Sequence, residues 1–219
     1  MQPVKREKWR GLSAELPCII WQVNMGQNKS IIFFIICVFL SINNLPAQQL
    51  AAGMQFTGIS IHFGGAAHPH LMPLKFDSEG IFVPNPGVRL NFEYFFHRNI
   101  FSVKLAQGFY GDCTMSFGGF SHIGVRGRIL QRGNHTISGG IGPTFFFRRN
   151  WYRFEGYRGN DLFFRGSPDD RWQRRFLIVA GELTYYYRIN RNTELSLSVV
   201  PFNPMLFHFG VRMIINEYR

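Results

Sequence analysis

Cysteine, charge and long apolar runs are all scarce in this sequence. Its 219 residues contain three cysteines, too few for a disulfide-dense scaffold. The longest apolar run, at 31–40, covers ten residues, whereas a membrane-spanning helix needs about 18. Only 17% of the residues are charged, but 46% are hydrophobic, which argues against wholesale disorder. These features exclude a helical membrane protein and a disordered chain.

The apolar run has the flanks of a secretory signal peptide. Lys29 precedes it, and small or polar residues ending in Pro46-Ala47 follow it. We predict a signal peptide at 25–47, cleaved after Ala47, and a barrel domain at 48–219. Residues 1–24 are interpreted as a gene-model extension or a long n-region, because Met25 begins a normal n-region by itself. The alternative is a buried hydrophobic helix.

The mature chain is basic, with 19 basic and 11 acidic residues giving +8, and 17 of the basic residues are arginine. An exported chain rarely meets nucleic acid, so no nucleic-acid partner is predicted. Arginine binds phosphate groups in bidentate fashion. Outer-membrane lipid and lipopolysaccharide are therefore the expected partners.

Eight segments alternate between apolar and polar residues, the period of β-strands. They are 55–64, 87–96, 100–110, 117–130, 135–148, 174–188, 193–201 and 206–216. Connections after the second, fourth and sixth segments are short, and most of the others are longer, with two above 20 residues. Alternation of tight turns and long loops is typical of bacterial outer-membrane barrels, with loops extracellular and termini periplasmic.

The two faces of these strands differ in kind. One face carries about 35 mostly bulky apolar side chains, including Leu177, Val179 and Leu183 of the sixth segment. A packed eight-stranded interior holds roughly twelve side chains, so the apolar face must point outward into lipid. The sequence predicts an all-β fold: an eight-stranded antiparallel up-and-down transmembrane β-barrel, in the outer membrane of a Gram-negative-type bacterium.

The chain resembles the small eight-stranded bacterial outer-membrane barrel families over residues 55–216, as architecture only. Its last strand, from His208 to Ile215, is similar to the C-terminal assembly signal of such proteins, but the chain continues to Arg219 instead of ending on an aromatic residue. The resemblance implies the barrel assembly machinery as a partner and implies no particular activity.

Charged residues on the polar face are predicted to pair inside the barrel, because buried charges need partners. This lumen charge network comprises Arg89, Glu93, Lys104, Arg126, Arg128, Glu182, Glu194 and Arg212. The alternative is a narrow, anion-biased, porin-like conduit.

A second set of polar residues has the types needed for acyl transfer, in which histidine takes the proton of a nucleophilic hydroxyl. The catalytic candidates are His62, Ser60, His122, His208 and Glu194. The competing interpretation is a set of hydrogen-bonded lumen residues. No metal site and no cofactor are predicted.

The loop 149–173 mixes arginine with aromatic residues, a composition typical of recognition surfaces. Its predicted binding residues are Arg149, Trp151, Arg153, Arg158, Arg165 and Trp172. The alternative is a loop folded on itself.

The sequence thus favours a non-enzymatic outer-membrane barrel with a structural, lipid-binding or surface-interaction role through its long extracellular loops. The alternative is an outer-membrane enzyme that removes or transfers acyl chains of lipid A or phospholipid. The sequence indicates no oligomeric state.

Overall fold

A computed structural model describes residues 49–96, 99–157, 159, 163–201 and 204–217. The predicted signal peptide at 25–47, the segment 1–24 and the predicted cleavage site lie outside the described residues. The predictions about them remain predictions.

Eight antiparallel strands form one closed barrel in which each strand pairs with its neighbours in sequence and the first pairs with the last. The strands are β1 (Gln49–Ile61), β2 (Phe82–Phe96), β3 (Phe101–Gly111), β4 (Phe117–Arg132), β5 (His135–Arg149), β6 (Trp172–Arg188), β7 (Thr193–Val200) and β8 (Met205–Glu217). The predicted eight-stranded up-and-down barrel is confirmed. β7 is shorter than its neighbours, so β6 pairs with it only over Leu183–Arg188.

The connections differ in length at the two ends of the barrel. At one end, the long-loop end, lie 62–81, 112–116, 150–171 and 201–204; at the other, the short-turn end, lie 97–100, 133–134 and 189–192. Two short 3₁₀ helices, Pro69–Leu71 and Trp151–Arg153, lie in the two longest loops. No helix among the described residues is both long enough and apolar enough to cross a membrane.

Two strands begin five or more residues earlier than their sequence pattern indicated. β1 starts at Gln49 instead of residue 55, and β2 at Phe82 instead of residue 87. Residues 51–53 are Ala-Ala-Gly, which carry no alternation, yet they pair with both β2 and β8. Cross-strand hydrogen bonding therefore extends these strands beyond the segment that has a detectable period.

Bulky apolar side chains on every strand point outward, as predicted. Phe56, Leu90, Val125, Ile141 and Val211 are representative, each at least one-third exposed. The prediction is wrong for Leu177, which packs against the inward-facing Tyr110–Phe120–Phe146 cluster. The reason is a bulge opposite Pro143, where β6 has one extra residue, so that Ile178 and Val179 both point outward.

The interior is less uniformly polar than the sequence indicated. Tyr110, Phe120, Phe146 and Tyr186 are buried inside the barrel, together with the polar residues of the same strand faces. The first three form an aromatic layer toward the long-loop end. Alternation already places Phe120 in phase with His122 and Arg126, so its inward position follows from the pattern.

Candidate functional site

Toward the short-turn end, Glu93 organises one group of buried charges. Arg126 and Arg212 lie 3.1 Å and 2.8 Å from its carboxylate, and Ser102 donates a hydrogen bond to it at 2.5 Å. Arg212 also pairs with Glu194. The guanidinium of Arg212 lies 3.5 Å from the ring centroid of Tyr186, so an aromatic face covers this group.

A second group surrounds Glu182 nearer the middle of the barrel. Arg89 and Lys104 lie 2.6 Å and 2.7 Å from its two carboxylate oxygens, and Thr184 donates to it at 2.7 Å. All four side chains are buried. One carboxylate thus holds two cations in a desolvated interior, where the attraction between opposite charges is strong.

These charges, with the aromatic layer above them, fill the lumen. Arg128, the remaining member of the predicted network, is half-buried and donates a hydrogen bond to Gln131 near the short-turn end. Two interior cavities beside the ion pairs measure about 20 and 10 Å³, room for about one water molecule each.

The catalytic candidates lie at separate levels of the barrel. Glu194 is opposite Arg212 on the neighbouring strand, whereas Ser198, four residues further along the same strand, is opposite His208. Four strand residues span about 13 Å, so Glu194 is far from His208 and still farther from the long-loop end. Glu194 therefore does not join a histidine-centred site.

His208 and His122 each contact a threonine inside the barrel. His208 Nδ1 lies 3.1 Å from Thr57 Oγ1, and His122 Nδ1 lies 2.7 Å from Thr144 Oγ1. Both histidines are buried. These contacts are those of hydrogen-bonded lumen residues, the competing interpretation of the sequence.

Ser60 and His62, by contrast, lie together at the long-loop end. Ser60 Oγ is 3.2 Å from His62 Nε2, and the side-chain amide of Asn85 is 2.5 Å from Ser60 Oγ. Cys113 Sγ lies 3.3 Å from the same His62 nitrogen. We call the opening of the barrel at this end, around Ser60, His62 and Cys113, the mouth. It combines a hydroxyl, a thiol and an imidazole within hydrogen-bonding distance.

Cys113 is a member of this group that the sequence did not suggest. It lies in the turn 112–116, whose shape is fixed by Asp112: one carboxylate oxygen accepts hydrogen bonds from the backbone N–H groups of Thr114 and Ser116, both at 2.9 Å. Burial raises the pKa of the Cys113 thiol to about 11. At neutral pH the sulfur is therefore a protonated thiol and not a thiolate.

Part of the loop 150–171 folds into the mouth, which corrects the prediction for Trp151. This residue is buried, and its indole N–H donates to the second oxygen of Asp112 at 2.7 Å. Arg148 lies over its ring, 3.6 Å from the centroid. Trp151 therefore belongs to the interior of the mouth and not to an exposed binding surface, because its one donor has a buried acceptor.

Four of the other predicted loop residues lie on the exterior of the barrel, and the fifth is not among the described residues. Arg149 packs on Trp172, 4.5 Å from the ring centroid, and Arg153 donates to Ser116 Oγ at 2.6 Å. Arg165 is exposed and forms an isolated antiparallel bridge with Arg174. Arg158 is outside the described residues.

Outside the barrel, aromatic residues and arginines form two adjacent groups. Trp172 contacts Phe147 and Phe117, with ring centroids 5.9 and 6.2 Å apart; we call these three residues the aromatic rim. Phe147 is directly opposite Arg174 on the neighbouring strand, and Arg149 is opposite Trp172. Since paired residues project to the same side of a sheet, Arg149, Arg165 and Arg174 form an arginine rim next to the rings.

Comparisons with known proteins concern the fold alone. No family model matches the chain, and no curated protein matches it. The similar solved structures include the attachment invasion locus protein Ail of Yersinia pestis in complex with the heparin analogue sucrose octasulfate, the N-terminal β-barrel domain of Pseudomonas aeruginosa OprF, and Neisserial surface protein A.

The similarity to each of them is remote in sequence. Ail is 11% identical over 76% of this chain and 97% of its own, with a TM-score of 0.37. The OprF domain is 10% identical over 75% and 97%, at 0.39, and Neisserial surface protein A is 11% identical over 78% and 96%, at 0.36. The eight-stranded architecture of this chain is shown by its own strand pairing.

Proposed function

We propose that this protein is an outer-membrane β-barrel with a closed lumen, which uses the outside of its long-loop end to bind phosphate groups of outer-leaflet lipid or lipopolysaccharide. The membrane part of the proposal is supported by the distribution of polarity. Bulky apolar side chains are exposed around the whole barrel, while Glu93 and Glu182 are paired with cations inside. Only a hydrocarbon surrounding makes such an exterior favourable.

The outward location of the long loops completes this arrangement. In barrels of this kind short turns face the periplasm and long loops face outward, so the arginine rim lies at the level of outer-leaflet headgroups. Tryptophan next to arginine is favoured at that level, because the ring sits at the interface and the guanidinium binds phosphate.

The Arg165–Arg174 bridge is the observation that carries the binding proposal. Backbone hydrogen bonds of 3.0 and 2.8 Å hold these two residues opposite each other. Like charges directly opposite each other destabilise a strand pair. Among the described residues, the salt bridges lie inside the barrel or at its short-turn end, so neither arginine belongs to one. A bound phosphate would relieve the repulsion by bridging the two guanidinium groups.

Cell fractionation tests the location. We expect the processed protein in the outer-membrane fraction, released only by detergent, because its exterior is apolar. Recovery as a freely dissolved protein would overturn the proposal.

A charge-matched pair of variants tests the binding. R165Q/R174Q removes two charges from the arginine rim, and R132Q/R191Q removes two exposed charges from the short-turn end. We expect lipopolysaccharide in the vesicles to raise the thermal unfolding midpoint of the parent and of R132Q/R191Q, but not of R165Q/R174Q. Dephosphorylated lipopolysaccharide should stabilise none of them. Equal shifts for both variants would contradict phosphate binding at this rim.

The enzyme alternative has one specific observation in its favour, the contact of His62 with Ser60 and Cys113. An acyl-chain hydrolase or transferase with this site would alter lipid A or phospholipid. Mass spectrometry of both lipids distinguishes the binding proposal from the enzyme alternative. The lipids are taken from cells with the gene, cells without it and cells with the H62A variant. The binding proposal expects identical acyl-chain patterns, whereas an acyl difference that H62A abolishes would favour the enzyme.

A further inference from the structure

A groove in the outer wall of the barrel lies farther from the long-loop end than the aromatic rim. Its volume is about 660 Å³. Apolar side chains from five neighbouring strands line it: Leu90, Phe92, Leu105, Ile123, Phe145 and Phe176. Two polar residues, Gln107 and Ser121, lie among them. Contact with lipid chains requires only an apolar surface, so this polar pair needs a separate explanation.

The polar pair lies between bulkier neighbours on the same side of the sheet. Gln107 of β3 and Ser121 of β4 are directly opposite each other. Beyond them, Leu90 is opposite Gln107, and Phe145 is opposite Ser121. Paired residues project to the same side of a sheet, so the leucine and the phenyl ring flank the polar pair. The groove therefore has apolar walls with a polar strip between them.

The hydrogen bonds of this pair determine what it offers to a ligand. The side-chain nitrogen of Gln107 donates to the backbone oxygens of Phe120 and Gly108, at 2.9 and 3.3 Å. Ser121 donates its hydroxyl proton to the side-chain oxygen of Gln107 at 2.6 Å. Ser121 is exposed, and its Oγ has no other hydrogen-bond partner among the described residues. The pair thus presents acceptors and no spare donor to its surroundings.

The depth of Ser121 places it beside acyl chains, a step that rests on the membrane part of the proposed function. Phe145, opposite Ser121, is two residues from Phe147 of the aromatic rim, about 7 Å along the strand. The rim lies at headgroup level in the proposed orientation, so Ser121 faces the hydrocarbon below it. Because that region lacks water, a donor for Ser121 Oγ has to come from the lipid itself.

This need for a donor distinguishes between lipids. The ester groups of a glycerophospholipid only accept hydrogen bonds, whereas a hydroxylated acyl chain also carries an O–H donor. We propose that the groove binds an acyl chain with a hydroxyl group near its headgroup end. The chain lies against Leu105, Ile123 and Phe176, and the hydroxyl donates to Ser121 Oγ. The lipid of the proposed function is thereby narrowed to one with hydroxylated chains.

A competition between two matched lipids tests this preference. The processed protein, folded in a nonionic detergent, is mixed with equal amounts of two synthetic phosphorylated glucosamine lipids. One carries 3-hydroxytetradecanoyl chains and the other tetradecanoyl chains. Native mass spectrometry separates the two complexes by mass and gives the ratio of bound lipids directly. We expect the hydroxylated lipid to be favoured about threefold to tenfold, as for one additional hydrogen bond.

Three variants locate the preference in the groove. Q107L/S121A removes both side-chain acceptors, so the ratio should fall to about one, whereas S121T keeps the hydroxyl and should keep the preference. Adding L197S to Q107L/S121A places a serine on the exposed side of β7, away from the groove, and should not restore the preference.

The arginine rim is tested separately in the same competition. R165Q/R174Q should bind less of both lipids at an unchanged ratio. Failure of the phosphate proposal would therefore appear as unchanged total binding, and it would leave the ratio as it is.

Three outcomes would overturn the inference. They are a ratio of about one in the parent, an undiminished ratio in Q107L/S121A, and recovery of the ratio when L197S is added. If Q107L/S121A does not fold, the ratio measured in the parent still decides whether the hydroxyl is recognised.

Discussion

At the residue scale, the buried carboxylate of Glu182 is the most consequential single group. It pairs with both Arg89 and Lys104, one through each carboxylate oxygen, in a desolvated interior. An ion pair of this kind adds little over a well-packed apolar core, but losing one partner leaves an uncompensated buried charge.

We therefore expect E182Q to lower the free energy of unfolding by about 3–5 kcal/mol. E155Q, at an exposed loop position, should change it by less than about 0.5 kcal/mol. Denaturant unfolding in vesicles, followed by tryptophan emission, measures both. Equal stability of the two variants would show that the ion pairs around Glu182 are not structurally required.

The thiol of Cys113 gives a pH-dependent signal at the same scale. Burial raises its pKa to about 11, above the 8.5 or so of an exposed cysteine. Since only the thiolate reacts, alkylation of the folded protein should keep accelerating with pH up to about 11, whereas that of the heat-unfolded protein should level off near pH 9.

The raised pKa of Cys113 makes the stability of the folded protein depend on pH in one direction. The folded state disfavours the thiolate, so this group lowers stability progressively as the pH rises above its unfolded pKa and has no effect below it. Superimposable pH profiles for folded and unfolded protein would show that Cys113 is not buried in the mouth.

At the element scale, β6 shows how a local irregularity overrides a regular period. The extra residue opposite Pro143 turns Leu177 inward and leaves Ile178 and Val179 both outward. Proline has no backbone N–H to donate to the ladder, which is a setting where bulges occur.

Spin labels attached at single positions test this register. A label at L177C should be shielded from oxygen in the bilayer, while labels at I178C and V179C should both be accessible. Further along the strand, labels at L183C and Y185C should be accessible and a label at the position between them shielded. Accessibility that alternates through 177, 178 and 179 would mean that the bulge is absent.

The elements also show where the sequence was informative. The bulky alternation of β2, from Val88 to Phe96, defined both its face and its end. The alanine–glycine start of β1 and the start of β2 near Asn85 had no such alternation. As a result, the sequence did not indicate that Asn85 contacts Ser60 in the mouth. Pairing across the barrel placed these residues, and pairing partners far apart in the chain are not visible in a local period.

At the scale of the whole molecule, the barrel has a filled lumen. Two groups of ion pairs and an aromatic layer occupy its cross-section, and the interior cavities beside the ion pairs hold about one water molecule each. Eight strands enclose a space just wide enough for side chains to fill.

A filled lumen and the alternative of an anion-biased conduit predict different conductance. We expect no conductance steps when the protein is reconstituted in a planar bilayer, because buried ion pairs and aromatic rings of the described residues occupy the lumen. Reproducible steps with anion selectivity, lost in a preparation without the protein, would contradict a closed lumen.

The sequence by itself determined the strand count, the alternation of short and long connections, and the side of each strand that faces outward, except in the bulged part of β6. These depend on the two-residue period and on the size of the apolar side chains, which are local properties. Only the tertiary structure decided that Ser60, His62, Cys113 and Arg148 meet in one cavity and that Trp151 lies inside it. Those contacts join residues from different strands and loops, and their distances follow from barrel closure and loop folding, which no local pattern encodes.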